Sequence, residues 1–168
     1  MTISFVESGM SFGPYAVDEV FPIEQSPLYK HLGQGLMIAE FVLIRPGRGE
    51  SEEVWVIEAK SSAPRVFGEY VDEIRQKLTN SVQLTLASCL KRHPHAADLL
   101  PARFLDLNLG ACAFKCILII KGFRKEWLPP LQSALAKEMK SLVKTMGFNP
   151  GSVSVINDDK ARELKLII

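Results

Sequence analysis

The sequence predicts an α/β protein in which a central mixed β-sheet is flanked by helices on both faces. Apolar runs of strand length at 36–45, 54–60 and 114–120 predict the sheet. Apolar residues recur at spacings of three and four along 67–92 and again along 131–146, which predicts two long helices. Strands that alternate with such helices favour a layered α/β architecture.

Composition limits the classes of protein to consider. The chain has 168 residues, 47% of them hydrophobic, so we predict a single domain over residues 1–168 with its own core. The formal net charge of +1 gives no strong overall field, so nucleic-acid binding would need a local basic patch. No run approaches the roughly 18 apolar residues of a membrane span. The N-terminus does not resemble a signal peptide, and three cysteines argue against a disulfide framework. We therefore expect a cytoplasmic protein with no membrane partner.

The remaining elements follow from capping and turn residues. Ser26 and Pro27 read as an N-cap followed by proline at the first helical position, which predicts a short helix that Gly33 ends. The other predicted elements are irregular structure or a short strand over 3–15, a break of the first long helix at 93–95, a second long helix that starts at Pro129 and stops at Gly147, and final strands over 153–157 and 164–168.

The first two strands carry a pair of acids and a lysine. Glu40 lies in the first run, Glu58 lies in the second, and a polar turn around Gly49 joins them. In a hairpin symmetric about Gly49, residues whose numbers sum to 98 face each other, so Glu40 would face Glu58. Cross-strand Cβ atoms are about 4.5–5.5 Å apart, which lets two carboxylates share one divalent cation. Because strand side chains alternate between the two faces of a sheet, Lys60 lies on the same face as Glu58 and Ala59 lies on the opposite face. A shift of the strand register by one residue would move Glu40 to the wrong face.

These charges need a reason, because the strand at 54–60 is apolar on both faces. A buried charge is costly unless it is paired or bound to a metal. Two alternatives stay open at this point, a metal site and a buried Glu–Lys ion pair. The same acid-x-Lys spacing occurs at 138–140, 158–160 and 163–165, but without an acid-bearing apolar strand upstream at hairpin distance.

The segment resembles the core of the PD-(D/E)xK nuclease superfamily, which has the restriction-endonuclease-like fold. That family's pattern is an acid on one strand, a hairpin, the (D/E)xK tripeptide on the next strand, and then a helix. Glu40 matches the first acid, Glu58 the second and Lys60 the lysine. Glu replaces the usual Asp at the first position, and Ala39 stands where the family name has Pro. The resemblance covers 35–90 well and the rest of the chain by element order.

The resemblance implies a site. Glu40 and Glu58 would bind Mg²⁺ or Mn²⁺, with the backbone carbonyl of Ala59 as a further ligand. Lys60 would orient the attacking water or stabilise the growing negative charge. Family members often add an acid from the first helix, which makes Glu24 a further metal-ligand candidate, with Glu19 as the alternative position. An acid near a helix N-terminus is also favourable for dipole reasons alone.

Three further residues are candidates for contact with substrate. Lys77 and Ser81 lie at one edge of the apolar stripe of the first long helix, the helix that in this superfamily often directs polar residues to the metal site. A snorkelling lysine and a tolerated boundary serine are the alternative. Arg48, in the hairpin turn, is a candidate for phosphate contact.

The resemblance implies a Mg²⁺- or Mn²⁺-dependent nuclease that hydrolyses phosphodiester bonds, as an endonuclease or an exonuclease, with DNA favoured over RNA. The alternative is a catalytically degenerate module of the same fold that binds nucleic acid or a partner protein. No separate recognition domain is visible in the sequence. Specificity would therefore come from a homodimer or from a larger defence or repair assembly.

Overall fold

The computed structural model describes residues 1–33 and 35–168. In that part of the chain, the strands are β1 (Thr2–Glu7), β2 (Met10–Ala16), β3 (Val20–Phe21), β4 (Phe41–Pro46), β5 (Glu52–Lys60), β6 (Ala113–Ile120) and β7 (Val153–Asn157). The helices are α1 (Pro27–His31), α2 (Gly68–Cys89), α3 (Ala96–Leu99), α4 (Ala102–Leu105), α5 (Leu128–Glu138), α6 (Lys140–Thr145) and α7 (Asp158–Glu163), and a 3-10 turn at Lys125–Trp127 precedes α5.

A five-stranded mixed sheet in the order β3-β4-β5-β6-β7 forms the centre of the protein. The pairs β3–β4 and β4–β5 are antiparallel, whereas β5–β6 and β6–β7 are parallel. The predicted mixed sheet with accompanying helices is therefore confirmed. Strand β4 begins at Phe41, five residues later than the sequence pattern predicts, and Glu40 lies in a bend just before it.

The register of the hairpin β4–β5 is the symmetric one. Its partners run from Phe41 opposite Ile57 to Pro46 opposite Glu52, and the numbers of each pair sum to 98. The register does not continue to Glu40, because its backbone N–H donates to the carbonyl of Ile57 at 3.1 Å, and Ile57 is already the partner of Phe41. The predicted pairing of Glu40 directly opposite Glu58 is therefore one residue out, although the charge of Glu58 still acts on the Glu40 carboxyl.

The two faces of the sheet are covered differently. On the first, the α2 face, Val42, Val54 and Val56 pack in one buried cluster with the apolar stripe of α2 and with α5. The second face packs mainly against the separate two-stranded sheet β1–β2, and it is named the hairpin face after that β1–β2 hairpin. There Phe12 of β2 lies edge-on to Phe41, with ring centroids 5.1 Å apart. Helix α7 adds Ala161 to this layer, so the helices that were predicted on both faces lie mostly on one.

Three local predictions have clear outcomes. The N-cap prediction is confirmed, since the Ser26 hydroxyl accepts a hydrogen bond from the backbone N–H of Tyr29 at 3.2 Å. The second long helix is interrupted at Met139, whose buried side chain joins the core and whose backbone stays in the right-handed region (φ −84°, ψ −4°) between α5 and α6. The final strand predicted over 164–168 is wrong, because this tail makes a turn and one bridge from Ile167 to Phe12. Among the described residues, no helix is both long enough and apolar enough to cross a membrane.

Candidate metal and active site

Glu58 and Lys60 project from the α2 face at the carboxyl end of β5. Their neighbour Ala59 packs on the hairpin face, as the strand alternation predicts. The Glu58 side chain is 0% exposed, and two ammonium groups contact its Oε1 atom: Lys77 Nζ at 2.9 Å and Lys60 Nζ at 3.4 Å. The ion pair that the sequence leaves open as an alternative is therefore present, with Lys77 as an additional member.

The second oxygen of Glu58 differs from the first. Oε2 is buried and has no hydrogen-bond partner among the described residues. Burial raises the pKa of Glu58, and the nearby charges of Lys77 and Lys60 oppose that rise. A buried carboxylate oxygen without a partner is costly, so it is a place where a cation or a water molecule would be stabilising.

Lys60 lies between two acids. Its Nζ atom contacts Glu73 Oε1 at 2.8 Å as well as Glu58, and its side chain is 24% exposed. Burial lowers the pKa of Lys60, but its contacts with Glu73 and Glu58 outweigh burial and leave the pKa raised. The sequence argument missed Glu73, although it lies one helical turn before Lys77 and so shares its side of α2.

Glu40 is half-buried among other acids. Its pKa is raised to about 8, chiefly by burial, then by a side-chain hydrogen bond with Glu24 and by the charges of Glu58, Glu24 and Glu7. Two carboxyl groups joined by a hydrogen bond share a proton, because neither can donate when both are ionised. The structure therefore brings Glu24, just before α1, to the same cluster as the two strand acids.

The turn between β1 and β2 closes the other side of this cluster. The Ser8 hydroxyl donates to the carbonyl of Ala59 at 2.9 Å, and Glu7 accepts a hydrogen bond from Gln25 Nε2 at 3.2 Å. The Ala59 carbonyl, predicted as a metal ligand, thus already has a donor. The sequence argument missed Glu7 and Ser8, since nothing local shows that this turn packs 51 residues away from its partner.

Ser81 has a different role from the predicted one. It is fully buried, its hydroxyl donates to the carbonyl of Lys77 at 2.8 Å, and it accepts from the backbone N–H of Ala39 at 2.8 Å. Its single proton and its accepting lone pair are both engaged inside the protein. Ser81 holds the chain that leads into Glu40, and it has no exposed surface with which to contact a substrate.

Two candidates lie outside the cluster. Arg48 is exposed in the β4–β5 turn, eight residues along the hairpin from Glu40, which is about 25 Å at strand spacing. Arg48 and the acid cluster therefore lie at opposite ends of the hairpin and do not form one site. Glu19, the alternative acid, pairs with Arg103 instead.

The cluster fits a hard divalent cation in its chemistry. In the described part of the chain, no three His, Cys, Asp or Glu side chains are arranged to hold a metal ion as they stand. Mg²⁺, however, is commonly held by one or two carboxylates, with water completing its shell. Glu58 offers the unpartnered Oε2, and Glu40 carries a proton that a cation would replace. Glu40 and Glu58 are therefore the residues that would hold it.

Comparisons with protein-family models, with curated proteins and with solved structures found no match. The fold and site by themselves define a mixed α/β protein with a carboxylate–lysine cluster where β4 begins and β5 ends.

Proposed function

We propose that the protein is a Mg²⁺- or Mn²⁺-dependent nuclease with the restriction-endonuclease-like fold, and that it hydrolyses phosphodiester bonds, with DNA favoured over RNA. One observation carries the proposal. Glu40, just before β4, lies near enough to Glu58 of β5 for their charges to interact, and Lys60 follows Glu58 on the same face, where its ammonium contacts Glu58. Two carboxylates and one ammonium in this order suit metal-assisted phosphoryl chemistry.

The connection of the elements supports the proposed fold. An antiparallel hairpin carries the acids, α2 packs over the face on which they lie, and the chain then returns as β6 parallel to β5. This is the order of acid, hairpin, (D/E)xK and helix on which the resemblance rests.

Each residue has a separate part in the proposed mechanism. Glu40 and Glu58 would hold the cation, which when bound polarises the scissile phosphate and lowers the pKa of a bound water. Lys60 is partly exposed, and Glu73 fixes its ammonium at 2.8 Å, so it is placed to orient the attacking water or to stabilise negative charge that develops on the phosphate. Lys77 contacts the buried Glu58 at 2.9 Å and holds it in place, and its charge opposes the rise in the pKa of Glu58 that burial causes.

In this mechanism, Glu40 releases a proton when the cation binds. With a pKa of about 8, Glu40 carries a proton at neutral pH in the cation-free protein. When Glu40 holds a cation, its carboxyl would give up that proton to solvent, because a nearby positive charge favours the ionised form. Cation affinity should therefore rise with pH up to about 8.

The second candidate function is a catalytically degenerate module on the same fold, which binds nucleic acid or a partner protein. The observation that favours it is that the charged and polar groups of the cluster already pair with one another. Lys77 and Lys60 both contact Glu58 Oε1, and Ser8 engages the Ala59 carbonyl. A closed ion-pair network of this kind would stabilise the fold without any metal.

A cleavage assay separates the two functions. Wild type and Glu58→Gln should be compared with Mg²⁺ and with Mn²⁺ on single-stranded, duplex and branched DNA and on RNA, under single-turnover conditions that exclude product release. We expect wild type to cleave and Glu58→Gln to lose metal-dependent cleavage, because glutamine keeps the shape but removes a ligand charge. Circular dichroism should show that the variant stays folded.

Glu53→Gln is the matched control. Glu53 lies on the same strand and also pairs with a lysine, with Lys115 Nζ at 2.7 Å, but it is near the opposite end of β5. We expect this variant to retain activity. Wild type that cleaves no substrate with either metal, together with unchanged nucleic-acid binding by Glu58→Gln, would favour the binding module.

We also propose that a homodimer or a larger defence or repair assembly supplies specificity. Two-fold dimers are the commonest closed oligomers, and a dimer presents two sites to a duplex. Light scattering at micromolar concentration should give twice the mass of the chain. A monomeric mass with full activity would contradict the dimer.

A further inference from the structure

A cavity of about 520 Å³ opens between the segment that follows β5 and the segment that follows β6. Pro64, Arg65 and Phe67 line one side, and Phe123, Trp127 and Pro130 line the other. This size lies within the range of small-ligand sites, and aromatic walls with a few polar groups are typical of them. No part of the proposed catalytic mechanism uses this cavity.

The cavity and the acid cluster share the same strand ends. Lys60 and Ile120 are register partners at the ends of β5 and β6, and the backbone N–H of Lys121 donates to the Lys60 carbonyl at 3.0 Å. Three residues of chain then lead from Lys60 to Ala63 in the cavity wall, a distance of at most about 11 Å. One extended ligand can therefore contact both.

Trp127 is the main feature of the cavity wall. Its side chain is 47% exposed, although a large apolar ring is usually well covered. Phe123 holds the ring edge to face, with centroids 5.5 Å apart at 66°, and the Arg124 guanidinium lies 4.8 Å from the ring centroid. The ring is thus fixed in orientation before any ligand arrives.

The charges around the cavity indicate what kind of ligand it takes. Arg65 and Glu126 line the cavity, and Arg124 and Lys125 are exposed next to it, in a neighbouring depression that Asp158 and Asp159 also line. A fixed aromatic ring beside exposed guanidinium groups is the combination that binds single-stranded nucleic acid, in which bases stack on rings and cations contact phosphates.

We propose that this cavity binds a nucleobase of a single-stranded DNA or RNA segment, with the base stacked on Trp127 and the adjoining phosphates at Arg65 and Arg124. The position of that segment beside the scissile phosphate rests on the proposed nuclease function. The stacking itself does not, because it needs neither the cation nor cleavage. The substrate class is then a single strand or an unpaired end, and not a fully paired duplex.

The test measures binding without catalysis. Fluorescence anisotropy in EDTA should give the Kd of the full-length protein for labelled single-stranded DNA, for single-stranded RNA of the same sequence and for a blunt duplex. We expect single strands to bind more tightly than the duplex. The Kd values for single-stranded DNA and RNA then show which of the two nucleic acids the protein prefers. Trp127→Ala should weaken single-strand binding about 5- to 140-fold, which corresponds to about 1–3 kcal/mol at 1.4 kcal/mol per tenfold.

Two companion variants make the result specific. Trp127→Phe should recover most of the affinity, because phenylalanine keeps a stacking face. Leu90→Ala is the matched control, since Leu90 is also a large exposed apolar side chain (62%) but lies just beyond the far end of α2. Equal binding by Trp127→Ala and wild type, or no binding of single strands by wild type, overturns the proposal. So does binding of a proline-rich peptide that competes with the oligonucleotide and binds more tightly.

Failure of this proposal is distinguishable from failure of the nuclease. Metal-dependent cleavage of a duplex, with single-strand binding unaffected by Trp127→Ala, overturns the cavity proposal and leaves the nuclease intact. Single-strand binding that depends on Trp127, without cleavage in the presence of either metal, supports the cavity proposal and contradicts the nuclease proposal.

Discussion

Lys77 Nζ lies 2.9 Å from Glu58 Oε1 and so joins helix α2 to strand β5 through a fully buried carboxylate. A charged carboxylate at such a position would be strongly unfavourable alone, and the ammoniums of Lys77 and Lys60 offset that cost. The same contact holds Glu58 beside Lys60, whose side chain is 24% exposed. The proposed catalytic group is therefore part of a network of ion pairs that also stabilises the fold.

The first prediction concerns this contact. Lys77→Met should lower the free energy of unfolding by about 1–3 kcal/mol, less than the 3–5 kcal/mol typical of a broken buried pair because Lys60 remains. The loss should grow as pH rises, since Glu58 would then have a still higher pKa in the folded protein than in the unfolded chain. Urea denaturation at pH 5 and pH 8 measures both effects. Lys137→Met, an exposed lysine on α5, should change stability little at either pH.

The second prediction concerns Lys60. Lys60→Ala should slow single-turnover cleavage about 100-fold or more, the usual effect of removing one group that stabilises charge in the transition state. Mg²⁺ affinity, measured by calorimetry, should stay equal or rise slightly, because a positive charge beside two acids is removed. Lys115→Ala, which breaks a lysine–glutamate pair elsewhere on the sheet, should cleave normally. Cleavage by Lys60→Ala at the wild-type rate would assign Lys60 a purely structural role.

The third prediction concerns the pH dependence of stability through Glu40. The pKa of Glu40 is about 8 in the folded protein, above its ordinary value of 4.5, so the folded state binds an extra proton between these values. Its contribution to stability is therefore fully present below about pH 4.5 and is lost as the pH rises through 8. Glu40→Gln should remove this decline, so that the variant gains stability relative to wild type as pH increases. Thermal melts from pH 5 to pH 9 measure the difference, and Glu50→Gln, an exposed acid, should parallel wild type.

The fourth prediction tests cation binding independently of cleavage. Mg²⁺ should raise the melting temperature of wild type more at pH 8 than at pH 6, because proton release from Glu40 accompanies binding. Glu40→Gln and Glu58→Gln should each lose most of this shift. A shift of equal size in wild type and both variants would place the bound cation elsewhere.

The fifth prediction separates two buried serines of α2. Ser81→Ala should cost about 1–3 kcal/mol of stability, because it leaves the buried backbone N–H of Ala39 without an acceptor. Ser88→Ala should cost less, since the Ser88 hydroxyl only donates to the Leu84 carbonyl of its own helix, at 2.6 Å. Both serines are fully buried, so the comparison isolates the lost acceptor. Urea denaturation measures the difference, and equal losses would contradict the role assigned to Ser81.

The parts of the site that could be predicted from sequence follow local rules. The period of two along β5 places Glu58 and Lys60 on one face, and the symmetry of the hairpin about Gly49 gives the register from Phe41 opposite Ile57 to Pro46 opposite Glu52. The N-cap at Ser26 depends only on neighbours in sequence. In each case the deciding interactions lie within one hairpin or one helical turn.

The errors have equally specific causes. A pattern of spacings of three and four cannot show that the second long helix is interrupted at Met139, because α5 and α6 continue the same apolar stripe on either side of it. The apolar tail at 164–168 reads as a strand, yet most of it stays out of the sheet and packs over the hairpin face with Ala161 of α7. Polarity at the edge of an apolar stripe suggested a role for Ser81 in binding, but its position against Ala39 makes it a buried structural group.

The sequence by itself determined the mixed sheet, the hairpin register and the shared face of Glu58 and Lys60, because strand period and turn position are set by neighbouring residues. Only the tertiary structure decided what surrounds them. It brought Glu24, Glu7 and Ser8 to the cluster, joined Lys60 to Glu73, and left Arg48 at the far end of the hairpin. Those contacts arise from packing β1–β2 and α2 on opposite faces of one sheet. The free energy that selects such packing is shared among distant apolar residues and leaves no local pattern in the chain.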